Sequence, residues 1–142
     1  MWADTLLRAE QQHLLRLLVW AGLSIVAATA LATTLAAKRI QSSLLLHFGL
    51  QTAAWGAVIA AIAATSLRGA RLRDVAGAAR LERLVWMNVG LDVGYIGIGV
   101  ALAIAAWLLA RKMSVVGAGM GIVVQGLALL ILELQFAAIV SR

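Results

Sequence analysis

The chain has 142 residues, of which 63% are hydrophobic and 13% are charged, and its mean hydropathy is +0.98. A soluble domain of this size carries about a quarter charged residues, so this composition leaves too little polar surface for a water-soluble fold and indicates a bilayer protein. The chain has no cysteine and no proline, which excludes disulfide frameworks, thiol nucleophiles, thiolate metal sites and proline-kinked helices.

Four apolar runs approach or exceed the length that crosses a hydrocarbon core of about 30 Å. Because only helices and closed barrels satisfy their backbone in lipid, continuous runs of Ala, Leu, Ile and Val predict helices. The expected fold is an all-α, polytopic membrane protein, a bundle of four transmembrane helices forming a single transmembrane domain over residues 1–142. The predicted spans are residues 14–37, 42–67, 84–110 and 113–140.

The connections between spans differ in length. The stretches "AKRIQ" and "ARKM" are short enough to be tight turns, so spans one and two, and spans three and four, are expected to form helical hairpins. The middle connection, "RGARLRDVAGAARLER", has the spacing of a short amphipathic helix on the cytoplasmic membrane surface, with a solvated loop as the alternative. Its arginines are expected to contact anionic lipid head groups: Arg68, Arg71, Arg73, Arg80 and Arg83.

Lysine and arginine are distributed unequally between the two sides of the predicted bundle. The two tight turns hold Lys38, Arg39, Arg111 and Lys112, whereas the other basic residues, including Arg142, lie in or near the terminal segments and the middle connection. The positive-inside rule therefore predicts a multi-pass protein with both termini in the cytoplasm. Basic clusters between apolar runs indicate contact with the bilayer rather than with nucleic acid.

Span three carries polar residues in the stretch "WMNVGLDVGYIGIG". Asn88, Asp92 and Tyr95 are spaced by four and three, which places them on one face of a helix. A carboxylate at a membrane helix centre costs about 2.5 to 3.5 kcal/mol, so Asp92 is expected to face the bundle interior. A glutamine follows each tight turn at a similar distance and completes a predicted ligand or proton site: Asp92, Asn88, Tyr95, Gln125 and Gln51.

A structural interpretation of Asp92 stays open beside the functional one. Its carboxyl group can instead join helices through hydrogen bonds to amide and hydroxyl partners such as Ser24. Glu133 is expected near the inner boundary as a salt-bridge partner of Arg16 rather than as a catalytic acid. Small residues at helical spacing predict close helix packing at Gly49, Gly56, Gly90, Gly94, Gly117 and Gly121.

The two histidines lie at opposite membrane faces in the predicted topology. A metal or haem site made by His13 and His47 within one chain is therefore excluded, and His47 is expected to be an interfacial hydrogen-bonding residue. No cofactor and no metal site are predicted. Without a cysteine, a paired histidine or a metal cluster, an intramembrane enzyme is disfavoured and no catalytic residue is assigned.

The stretches "FGLQTAAWGA", "WMNVGLDVGYIGIGVAL" and "GIVVQGLALLILEL" resemble a family of small four-helix bacterial membrane proteins known only as a domain of unknown function. The resemblance covers spans two to four and implies a bacterial cytoplasmic membrane. It supports a set of residues without supplying a chemistry: Gly49, Gln51, Trp55, Gly56, Asn88, Gly90, Asp92, Gly94, Tyr95, Gln125 and Gly126.

Two functional hypotheses follow. The first is an oligomeric bundle whose polar site binds or transports a small solute or a proton. The second is a non-catalytic accessory or assembly subunit of a larger membrane complex. The absence of proline breaks favours a rigid scaffold and weighs against transport, although glycines can serve as hinges.

Overall fold

Four long helices make up the part of the chain that the structure, a computed structural model, describes, which is residues 2–141. They are α1 (Trp2–Ala37), α2 (Ser43–Gly69), α3 (Val75–Ala105) and α4 (Met113–Val140), and α3 continues into a π-helical turn at Ala106–Ala110. No strand occurs within residues 2–141. Each helix is long and apolar enough to cross a bilayer, so the predicted all-α class with four membrane-length helices is confirmed.

The ends of the helices follow local signals in the sequence. Ser42 precedes α2 and its Oγ accepts a hydrogen bond from the backbone N–H of Leu45 at 3.3 Å. Asp74 precedes α3 in the same way, and its Oδ1 accepts from the N–H of Gly77 at 2.7 Å. Such caps satisfy backbone donors that have no partner inside the helix.

Both hairpin turns pass through an arginine with positive φ, Arg39 at 52° and Arg111 at 50°. A left-handed residue cannot continue a right-handed helix, so the chain leaves the helical path at these two points. Arg142, which was included in the charge distribution above, lies outside the described residues.

The prediction of a short amphipathic linker helix is wrong. Residues 70–74 are not helical, and the chain from Val75 onward is the first part of α3 rather than a separate surface helix. Asp74 starts the helix early, and no proline interrupts it before the apolar span. The same segment buries Leu81 and Val85, which a helix lying flat on a membrane surface would not do.

The helices α1 and α3 therefore extend beyond the spans predicted at residues 14 and 84. Their added turns pack together with the end of α4 in one cluster of buried side chains, which contains Leu6, Leu81, Val85 and Phe136. Apolar contact between the three helices, rather than lipid, accounts for the burial of these side chains.

Helix α4 holds the bundle together. It packs against α3 on one side, against α2 on another, and against α1, while α1 and α2 form a hairpin of their own. Within residues 2–141, the backbones of α2 and α3 do not pack against each other. A gap between α2 and α3 therefore lies beside α4. We call the end of the bundle that carries residues 70–74 the linker end, and the end that carries residues 38–42 and 111–112 the turn end.

Four of the predicted packing glycines lie where two helices approach closely. Gly49 and Gly56 face α1, and a Cβ on Gly56 would lie 3.1 Å from the carbonyl oxygen of Ala21. Gly117 and Gly121 face α2, where a Cβ on Gly117 would overlap the backbone carbonyl of Leu44. Glycine is needed at Gly117 because no side chain fits beside that backbone.

The other two predicted packing glycines do not have this role within the chain. A Cβ on Gly90 or Gly94 would meet no atom of the structure within 4 Å, because this face of α3 points away from α4. The crossing of α3 and α4 instead uses Gly99, Gly119 and Gly126. A Cβ on Gly99 would lie 2.8 Å from the carbonyl oxygen of Gly119.

An ion pair fixes the linker to α1. Arg73 donates from Nη2 to Oε1 of Glu10 at 2.6 Å and from Nε to Oε2 at 3.0 Å, which is a bidentate arrangement. The hydrogen bond to Glu10 raises the pKa of Arg73, so the guanidinium stays charged at any pH at which the protein is handled. Arg73 is thus paired with Glu10 within the protein, and its contact with lipid head groups stays a prediction. The other four arginines of that set are exposed.

We expect Glu10→Gln to lower the free energy of unfolding by about 1 to 2 kcal/mol. Glu10 is buried and the Arg73 side chain is 30% exposed, which places the pair between exposed pairs and fully buried ones. Denaturation by sodium dodecyl sulfate in mixed micelles measures this change. The same substitution made in an Arg73→Met variant gives the coupling energy between the two side chains. An equal loss of stability in both backgrounds would show that the ion pair contributes nothing.

Candidate functional site

A cavity of about 270 Å³ lies in the gap between α2 and α3. Helix α3 supplies Asn88, Asp92 and Tyr95 to its lining, which is the polar face expected from their spacing. Helix α2 supplies Trp55, and α4 supplies Glu133. The rest of the lining is apolar: Leu17, Val58, Ile59, Ile62, Leu91 and Leu129.

Two carboxyl groups in this cavity have unsatisfied oxygen atoms. Asp92 is 5% exposed and Glu133 is 6% exposed. Oδ2 of Asp92 and Oε2 of Glu133 are buried and have no hydrogen-bond partner among the described residues. Both groups line the same cavity, Asp92 from α3 and Glu133 from α4. A buried polar atom without a partner costs about 1 to 3 kcal/mol, so the arrangement is unfavourable unless something else binds there.

The other oxygen of Glu133 has two neighbours. Asn88 donates from Nδ2 to Oε1 at 3.3 Å, and Nε2 of His13 lies 3.4 Å from the same atom. The His13 ring stacks on Phe136 with centroids 4.4 Å apart, which holds the imidazole in place. His13 thus brings α1 to the edge of the site.

The predicted salt bridge between Arg16 and Glu133 is absent from the described residues. Arg16 is exposed and donates instead to Oε1 of Gln135 at 3.2 Å. His13 and Arg16 are three positions apart on α1, but the inward face of this helix passes through His13 and Leu17. Arg16 therefore lies outside the cleft, and the partner of Glu133 is a histidine rather than an arginine.

Gln125 lies outside the cavity lining, although it is the most deeply buried polar side chain at 1% exposure. Its Oε1 accepts from Nε1 of Trp20 at 2.8 Å, and its Nε2 donates to Oγ of Ser24 at 3.0 Å. Both partners lie on α1, so Gln125 joins α4 to α1 through both the oxygen and the nitrogen of its side-chain amide. Ser24, which was expected near Asp92, therefore accepts a hydrogen bond from Gln125.

Gln51 also lies outside the cavity lining. Its Cβ and Cγ lie beside Gly121 of α4, where α2 and α4 approach each other nearer the turn end. Of the five residues predicted for the site, the structure therefore brings together Asp92, Asn88 and Tyr95 and leaves the two glutamines at helix contacts.

We expect Gln125→Leu to lower the free energy of unfolding by about 1 to 2 kcal/mol, because it removes two hydrogen bonds worth about 0.6 kcal/mol each in membrane proteins and leaves the Trp20 indole without its acceptor. The control is Gln135→Leu on the same helix, which removes only the exposed hydrogen bond from Arg16. Thermal unfolding in detergent compares the two variants. Equal stability would contradict the role assigned to Gln125.

Sequence reasoning did not place His13, Glu133 and Trp55 in the site. A signal was present in α1, where buried residues recur at spacings of three and four from the linker end to mid-helix: Leu6, Glu10, His13, Leu17, Ala21, Ser24 and Ala28. That pattern puts His13 on the inward face. Trp55 carried no comparable signal, because its ring contacts Tyr95 across the gap between helices that are distant in sequence.

His47 lies far from this site, near the turn end. Its Nδ1 is 2.8 Å from the carbonyl oxygen of Ser43, one turn earlier in α2. Within residues 2–141, no group of three His, Asp or Glu side chains is arranged to hold a metal ion.

Comparison with family models gives a match over residues 16–134 to a family of unknown function (DUF6992). The chain belongs to this family. The DUF6992 match contains every residue of the stretches for which a resemblance was stated, and it extends into α1, so the resemblance to an uncharacterised domain is confirmed. Neither the curated proteins nor the solved structures give a significant match.

The DUF6992 match includes most of the candidate site. Trp55, Asn88, Asp92, Tyr95 and Glu133 lie inside the matched range, whereas His13 precedes it. Since the family has no described function, the chemistry of the site is argued from its geometry.

Proposed function

We propose that this DUF6992 protein binds a small solute or a proton in the cleft between α2 and α3, with Asp92 and Glu133 as the binding groups. The proposal rests on one observation: two carboxyl groups line the same cavity, and each has one buried oxygen without a partner among the described residues. Residues that only join helices satisfy their hydrogen-bonding groups, as Gln125 does. Asp92 and Glu133 do not, and this favours an external partner.

A positively charged partner relieves the unfavourable energetics of this site. A proton or cation between the two carboxyl groups removes the repulsion between their charges and supplies the missing interaction. The location also suits exchange, because the cleft lies between two helices whose backbones are not packed together. If the four helices span a bilayer, the ligand can enter without separating two packed helix backbones.

Proton movement tests this function with the simplest probe. Protein is reconstituted into liposomes that contain a pH-sensitive dye, and a potassium gradient with valinomycin supplies the driving force. We expect proton entry that is lost in Asp92→Asn and in Glu133→Gln, and retained in Glu82→Gln, which removes a carboxylate of α3 outside the cavity lining.

Native mass spectrometry of the protein taken gently from its membrane covers the case of a tightly bound solute. We expect a bound small molecule that is lost in Asp92→Asn. The proposal is rejected if the wild type moves no protons and carries no molecule that depends on Asp92.

A second candidate function is that of an accessory subunit or a homo-oligomer. It is favoured by α3, which packs its backbone on α4 alone among the other three helices and exposes Gly90 and Gly94. Small residues on an exposed membrane helix allow another helix to approach closely. The same mass spectra test this candidate, since it requires a second polypeptide in fixed ratio or a defined oligomer. Isolation only as a monomer would count against it.

A further inference from the structure

We infer that the ligand of the cleft is a small organic ammonium ion, bound by the carboxylates and by the aromatic pair Trp55 and Tyr95. This inference rests on the proposed function, because it names the ligand class of the same site. Its first support is charge. The described residues that line the cavity include two carboxyl groups and no lysine or arginine, so an anionic ligand would be repelled. A neutral ligand would leave the charges uncompensated.

The aromatic side chains favour an organic cation. Trp55 and Tyr95 both line the cavity, their ring centroids are 5.2 Å apart, and the rings are inclined by 78°. The two rings therefore pack edge to face. Aromatic ring faces attract ammonium groups through their negative quadrupole, and tryptophan does so most strongly. An aromatic pair beside two carboxylates is suited to a cation with apolar substituents.

An inorganic cation fits the cavity less well. Calcium requires six to eight oxygen ligands, and magnesium requires nearly octahedral coordination. The polar residues in the lining are Asp92, Glu133, Asn88 and Tyr95, and apart from Trp55 the remaining walls are apolar side chains such as Ile59 and Leu129. These walls suit methyl or methylene groups instead of the water molecules that a metal ion retains.

The cavity volume limits the ligand to a compact one. About 270 Å³ lies at or below the lower end of the range for small-molecule sites, so a single amine with one ring or a short chain is the expected size. The rim of the cleft carries exposed apolar side chains, including Val58, Ile62 and Leu91. An ammonium group can therefore come from a free amine or from a lipid head group, and the experiment separates these sources.

The test uses delipidated protein in an uncharged maltoside detergent. In the first arm, radiolabelled benzyltrimethylammonium is measured by equilibrium dialysis, with neopentylbenzene, its uncharged carbon isostere, as the competitor. In the second arm, native mass spectrometry compares retention of phosphatidylethanolamine with retention of phosphatidylglycerol of the same acyl chains. Both arms include Asp92→Asn, Trp55→Leu and the control variants Glu82→Gln and Trp107→Leu.

We expect at least one ammonium ligand to bind saturably. Asp92→Asn should weaken binding by about tenfold or more, since the substitution removes one of the two carboxylates that attract the ammonium charge. Trp55→Leu should weaken it by roughly severalfold through loss of the ring face. The two control variants should bind as the wild type does, and neopentylbenzene should not compete.

Acidification should also weaken binding, because protons compete for the same oxygen atoms. The titratable groups at the cleft are Asp92 and Tyr95 from α3, Glu133 from α4 and His13 from α1, and α2 contributes none to the lining.

The inference is overturned if neither ammonium ligand binds, if neopentylbenzene or phosphatidylglycerol binds equally well, or if Asp92→Asn and Trp55→Leu both bind as the wild type does. Size-exclusion profiles identify any variant that fails to fold. If either Asp92→Asn or Trp55→Leu fails to fold, the binding result of the other variant decides the test. Proton entry into liposomes without ammonium binding would refute this inference and leave the proposed function standing. If neither proton entry nor ammonium binding is observed and no bound molecule depends on Asp92, both this inference and the proposed function are refuted.

Discussion

Replacing Gly117 by alanine is expected to destabilise the fold by about 2 kcal/mol or more. The added methyl group would overlap the backbone carbonyl of Leu44, and a backbone cannot move aside as a flexible side chain can. Overpacking in a close contact costs about 1 to 3 kcal/mol, and this position belongs at the upper end of that range. The gain in helix propensity from glycine to alanine, about 1 kcal/mol, offsets only part of the cost.

The matched control is Gly90→Ala on α3, where a Cβ meets no atom of the structure within 4 Å. This variant should gain roughly 0.5 to 1 kcal/mol in the monomer from helix propensity alone. Denaturation by sodium dodecyl sulfate measures both variants on one scale. If Gly117→Ala unfolds at the same denaturant level as Gly90→Ala, then α2 and α4 are not in close contact at the turn end.

Asp92→Asn is expected to stabilise the ligand-free protein by about 1 to 2 kcal/mol while it weakens binding. Oδ2 of Asp92 is buried and has no partner among the described residues, so a negative charge there is uncompensated. An amide of the same shape removes the charge and adds a donor that can reach a neighbouring oxygen. Functional sites commonly retain groups that reduce stability in this way.

The sign of this change separates the two interpretations of Asp92 that the sequence left open. If the carboxylate only joins helices, the substitution breaks hydrogen bonds and lowers the thermal unfolding midpoint. Glu82→Gln serves as the control for loss of one negative charge from α3. A lowered midpoint for Asp92→Asn with an unchanged midpoint for Glu82→Gln would contradict the proposed site.

The course of the four helices could be read from local properties of the chain. Continuous apolar runs located the spans, basic residues located the two turns, and the spacing of Asn88, Asp92 and Tyr95 placed them on one face. The starts of α1 and α3 were predicted too late. Hydropathy identifies the segment that lipid can cover, whereas a helix also continues where other helices cover it, as at Leu6 and Leu81.

The sequence by itself determined the all-α class, the four membrane-length helices and the polar face of α3, because each depends on neighbours within a few turns. Only the tertiary structure decided which faces meet. It paired Gln125 with α1, brought His13 rather than Arg16 to Glu133, and left Gly90 and Gly94 without contacts. The physical reason is that the relative rotation of helices depends on contacts between distant segments. The gap between α2 and α3 has no counterpart in local spacing.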